Sequence, residues 1–160
     1  MKIAARILSL LVLASIATLY MNCGGSDPAP ASKEKIQLDK LVGSWDLVSV
    51  TENGSPNSNF VGVVTTISGT YATDGATYDF SSTGTFPNPS PMPKSDGHFK
   101  FGSDPNTQMI RTNDNFPMTY ALTNSDNSLS ITLTGYSGAG FAGGRVENVN
   151  GNWVFNYTKK

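Results

Sequence analysis

The sequence predicts an all-β domain, a small antiparallel up-and-down β-barrel of about eight or nine strands. Two observations lead there. From Leu38 onward, short alternating or β-branched stretches recur, separated by Gly, Asn, Asp and Pro, and no amphipathic helix of useful length interrupts them. Between the stretches, NGSPN, TDGA, NSDN and NVNGN each place Asn, Asp or Gly where a tight turn needs positive φ. A meander of this kind must close on itself or cover its edges, which favours a barrel or a two-sheet sandwich.

In chain order the expected strands are SWDLVSVTE, GVVTTISGTY, ATYDFSS, GHFKFG, TQMIRT, MTYALTN, SLSITLTGY, RVENV and NWVFNYTK. Alternation is clearest in SLSITLT. It sets Leu129, Ile131 and Leu133 on a core face and Ser128, Ser130, Thr132 and Thr134 on a solvent face.

The first part of the chain has a different character. Lys2 and Arg6 precede thirteen uncharged, mostly apolar residues, Ile7 to Leu19. That is the two-part pattern of a secretory signal, and it falls short of the ~20 apolar residues that a membrane span needs. The only cysteine, Cys23, stands where this run gives way to GGSDPAPASKEK, a flexible tether with no apolar periodicity that would span roughly 20 Å. A lone Cys in an exported chain has no partner for a disulfide within the molecule. The expected organisation is a signal peptide over 1–22, a tether over 23–37 and the β-domain over 38–160.

Cleavage before Cys23 removes Lys2 and Arg6 and leaves nine basic against twelve acidic residues. Nucleic acid is excluded as a partner, because phosphate neutralisation needs a basic face. Catalysis, cofactors and metals are not expected either. His98, the only histidine, lies beside Asp96 but has no nucleophile motif near it, and one His with no free mature Cys does not make the common zinc sets. GAGFAG, from Gly138 to Gly143, satisfies G-x-G-x-x-G literally, yet the chain ends seventeen residues later, without the helix and acid that dinucleotide binding requires. TNDNF and NSDNS lack the order of a calcium loop and read as turns.

Two resemblances sharpen the reading. LYMNCGGS resembles the lipobox of bacterial lipoproteins, with Asn22 and Tyr20 standing where a small residue and Leu are usual. The resemblance implies cleavage before Cys23, lipid such as palmitate on that residue, and a place in the bacterial cell envelope, anchored to a membrane that would be the outer one. The opening LDKLVGSWDLVSV, a short helical turn followed by Gly43, Trp45 and an alternating strand, is similar to the G-x-W start of lipocalins, above all the lipocalin-like lipoproteins of Gram-negative bacteria. In that family a basic residue near the last strands packs over the opening Trp, and Arg145 is the position that would carry this role here. The alternative is that Trp45 is ordinary core and Arg145 an exposed strand charge.

The family likeness implies a barrel that holds a small apolar or amphipathic ligand. The competing expectation is a protein- or glycan-interaction module whose barrel is filled by its own side chains. An apolar cavity of about 300 Å³ or more favours the container and a filled core favours the module. If there is a mouth, it should be bordered by TFPNPSPMPKSDG, stiffened by Pro87, Pro89, Pro91 and Pro93, and by GYSGAGFAGG. Phe86, Met92, Tyr136 and Phe141 are the expected ligand contacts. Ligand identity, the side of the membrane and the oligomeric state are not readable.

Overall fold

A computed structural model describes residues 30–141 and 148–160 of the chain. Cys23, the apolar leader, most of the tether and Arg145 lie outside the described residues.

The order is one helix, α1 (Lys33–Leu41), then β1 (Gly43–Glu52), β2 (Ser55–Pro56), β3 (Val61–Ser68), β4 (Tyr78–Thr85), β5 (Gly97–Phe101), β6 (Gln108–Arg111), β7 (Phe116–Thr123), β8 (Ser128–Ala139) and β9 (Asn148–Lys159). Every neighbour pairs antiparallel, and β1 also pairs with β9 from Trp45↔Lys159 to Glu52↔Trp153. β1 and β3–β9 therefore close an eight-stranded up-and-down barrel of lipocalin-like form. β2 is an extra two-residue ribbon, turned back on β1 by Asn53 (φ 51°) and Gly54 (φ 83°).

Three boundaries differ from the sequence reading. α1 begins at Lys33, inside the stretch expected to be tether, because Ser32 Oγ accepts from the Glu34 amide at 3.2 Å and the helix has a core to bury against. NVNGN, expected as a turn, runs within β9, and Gly151 (φ 135°) absorbs the irregularity. GYSGA, expected as loop, continues β8 to Ala139.

Two bulges reset which face a side chain meets. The register shifts between Leu133 and Tyr136, so Leu129, Ile131 and Leu133 point inward, and so does Tyr136, which strict alternation would place outside. A shift between Leu47 and Ser49 likewise leaves Val48 exposed and turns Val50 into the core.

The interior is filled by its own side chains. Tyr78, Phe99, Phe101 and Tyr120 form one chain of ring contacts, with centroids 5.7 to 6.4 Å apart. Phe60, Phe86, Trp153 and Phe155 form another, at 5.4 to 6.3 Å. Met92, Met109 and Met118 occupy irregular space beside Ile67, Phe80 and Ile131, and the cavity left there measures about 20 Å³. Tyr157 shares this dry interior, and burial pushes its phenol up to about 12 against the opposing hydrogen bond to Thr65.

One end of the barrel is closed by α1. Leu38 and Leu41 pack with Trp45, which has no exposed surface, and Trp45 Nε1 donates to the Leu41 carbonyl at 2.8 Å. Among the described residues the cation over the indole is Lys159. Its Nζ lies 5.1 Å from the ring centroid and donates to the Lys40 carbonyl at 2.8 Å. Gly43 belongs to the same unit: its φ of 136° turns the chain out of the helix, and a Cβ there would press on the Lys159 stem.

Candidate functional site

The opposite end of the barrel collects the β1–β3 connection, the proline-rich segment Phe86–Asp96, the turn after β6 and the end of β8. A loop rich in proline has few ladder hydrogen bonds with which to close an opening, since alternate residues have no donor. It closes this one by burying Ser90, Pro91, Met92 and Pro93. Ser90 exchanges two backbone bonds with Phe141, at 2.8 and 3.3 Å. Ser90 Oγ accepts from the Met92 amide at 3.2 Å and donates to the Met92 carbonyl at 2.9 Å, tying a tight local turn. The segment is thus a plug. A Cβ at Gly140 would overlap Pro89 and Val149, so glycine there lets the end of β8 approach the plug.

Arg111 holds the plug, and it has no exposed surface. As the last residue of β6 it shares the inward face with Met109, two residues earlier. Its Nη1 donates to the Pro91 carbonyl at 2.6 Å and meets Met92 Sδ at 3.3 Å. Its Nε and Nη2 take the two oxygens of Asp114 at 2.9 and 2.7 Å, a bidentate pair. The rings of Phe141, Tyr136 and Phe116 surround the guanidinium, at 4.8, 5.0 and 5.7 Å from their centroids.

Burial acts against the Asp114 carboxylate, but the hydrogen bonds and charge of Arg111, with the Phe116 amide, hold it below the usual carboxylate range. Burial raises the Tyr136 phenol although Arg111 opposes it. A buried guanidinium with one bidentate carboxylate, one carbonyl and three rings is well suited to positioning a segment. It offers no open coordination or reacting position.

The four expected contacts all reach this end, in two roles. Phe86 and Phe141 are half-buried and line a groove of about 640 Å³ on one flank of the plug, with Lys94 and Gly140. Met92 and Tyr136 are buried in the core, 5% and 2% exposed, as packing around Arg111. On the other flank a cleft of about 400 Å³ runs between Glu52, Pro89, Asn148 and Trp153. His98 stands elsewhere, half exposed on the outer wall. Its Nδ1 is 2.6 Å from Asp79 Oδ1 across the β4–β5 pair, while Asp96, its neighbour in sequence, accepts at its carbonyl from Asn113.

Arg111 was missed in the sequence, although a signal was present. Period-two alternation in QMIR puts Arg111 on the face of Met109, and an acid stands three residues further on. Compared with protein-family models, curated proteins and solved structures, the chain finds no match.

Proposed function

We propose that this chain is a cell-envelope lipoprotein, held to the membrane by lipid on Cys23, whose barrel is a packed scaffold and whose plugged end is a recognition surface. The observation that carries the choice between container and module is the interior: about 20 Å³ of apolar space is far below what a ligand needs. The rigidity of the plugged end supports the same reading. A surface that recognises a partner gains affinity when its loops are already ordered, and Arg111 orders this one. The reading requires no catalysis and no cofactor.

The container reading keeps one foothold. Met92 belongs to the plug and also lines the residual cavity, so an apolar guest would enter by displacing it. Titration with fluorescent fatty-acid and aromatic probes separates the two readings. The module takes up no probe saturably. Stoichiometric, saturable uptake by the wild-type chain returns the protein to the container class.

The anchor has its own test. The mature protein begins at Cys23, carries acyl chains and partitions into detergent, and Cys23→Ser yields a released protein or an uncleaved precursor. An unmodified Cys23 thiol by mass spectrometry removes the anchor without touching the reading of the barrel.

A further inference from the structure

We infer that the cleft beside the plug is a binding site for a neutral carbohydrate, a reading that rests on the plugged end being a recognition surface. The cleft, about 400 Å³, lies within the size range of small-ligand sites. Its lining is unusual in kind. Glu52, Asn57, Asn59, Asn148 and Asn150 supply the polar groups, and no Lys or Arg is among the described residues that line it. Among the described residues, one carboxylate with no cation beside it disfavours a phosphate or carboxylate ligand. Side-chain amides each carry two donors and an acceptor, which matches the mixed donor and acceptor hydroxyls of a sugar.

The asparagines divide by employment. Asn53 and Asn152 lock β1 to β9: the Asn53 amide donates to the Asn152 carbonyl at 2.7 Å, and the Asn152 amide donates to Asn53 Oδ1 at 2.9 Å. Asn152 Oδ1 also takes the Gly135 amide at 2.7 Å. Asn57 is set in place by Glu52 at 3.0 Å and by the Asn59 amide at 3.0 Å, which fixes the Glu52 carboxylate at the cleft. The side-chain amides of Asn59, Asn148 and Asn150 make no hydrogen bond within the described residues and are exposed along the cleft. Within the described residues three amides therefore lack an internal partner, on a frame that the other three hold rigid.

A further feature fits a sugar. Pro87, Pro89 and Val149 give the cleft apolar walls, the complement of the C–H faces of a pyranose ring. Trp153, which also lines the cleft, is 4% exposed, and its buried Nε1 has no hydrogen-bond partner among the described residues. Unpaired buried donors are uncommon, and the resonance of this one reports on what packs against the Trp153 wall of the cleft.

The two indole N–H groups of the chain make the test direct. Trp45 Nε1 is bonded to Leu41 at the far end of the barrel and serves as the internal reference. The full chain, in a detergent without sugar headgroups, is titrated with neutral oligosaccharides of glucan, mannan and chitin type while both indole resonances are followed by NMR, with Trp153→Phe as the assignment control. The expected result is a saturable shift of the Trp153 resonance alone. The triple variant Asn59→Ala, Asn148→Ala, Asn150→Ala keeps the Trp45 resonance in place and weakens the binding by about tenfold or more. Absence of a saturable shift up to about 10 mM of every oligosaccharide, or binding equally strong in the triple variant, overturns the assignment. A shift given by short peptides and by no sugar overturns it too, while leaving the recognition surface standing. Uptake of apolar probes bears on the recognition surface and not on this cleft.

Discussion

The two ends of this barrel face one problem, an opening onto an apolar interior, and close it by different physics. At the helix end, α1 has terminal backbone groups taken by Ser32, Trp45 and Lys159 and contributes Leu38 and Leu41, so closure comes mainly from apolar burial, with Trp45 as the plate and Lys159 as a cation over it. At the plugged end, a proline-rich segment with few donors is fastened by one buried guanidinium and by the backbone pair of Ser90 with Phe141. The first closure is spread over many weak contacts and tolerates the loss of any one. The second concentrates its polar contacts on Arg111, whose loss leaves the plug with the Ser90–Phe141 backbone pair and the packing of Pro91, Met92 and Pro93.

Breaking the latch should have the largest effect. Arg111→Ala leaves the Asp114 carboxylate and the Pro91 carbonyl without their buried donor, and stability should fall by about 3–5 kcal/mol in urea unfolding. Amide exchange at Ser90 and Phe141 should accelerate more than exchange in α1. If both ends loosen equally, the closures are not independent. At the helix end, Leu41→Ala, in a position with no exposure, should cost about 2–4 kcal/mol as lost burial and a cavity, with exchange at the plug unchanged.

Acid should separate the ends without mutation. The Asp114 carboxyl is held below the ordinary range in the fold, so its contribution is complete above the unfolded value, near about 4, and is lost as pH falls through the folded value. Exchange at Ser90 and Phe141 should therefore rise in that acid window, ahead of exchange in α1. Asp114→Asn should remove this acid limb. The smallest effect is expected at Lys159. Lys159→Ala removes the cation above Trp45 and one donor to the Lys40 carbonyl, and should lower stability by about 1 kcal/mol in the same urea assay.

What the sequence by itself determined is what short-range chemistry controls. Alternation in SLSITLT, the turn residues of NGSPN, TDGA and NSDN, and the absence of a long amphipathic helix are local properties, and they were enough for strand existence, hairpin order and an all-β barrel. For Trp45 the sequence offered a resemblance to the lipocalin opening and the alternative of ordinary core, and no local pattern separates the two. Only the tertiary structure decided where parity breaks. The bulges in β1 and β8 depend on cross-strand register, and they brought Val50 and Tyr136 inward against the pattern of their own strands. It also decided that Lys159 covers Trp45, that the proline segment fills the opening instead of bordering it, and that Asn57 and Asn59, from the connection before β3, line one cleft with Asn148 and Asn150 of β9. These pairs are joined by folding alone, between residues dozens of positions apart, and nothing in a local period records them.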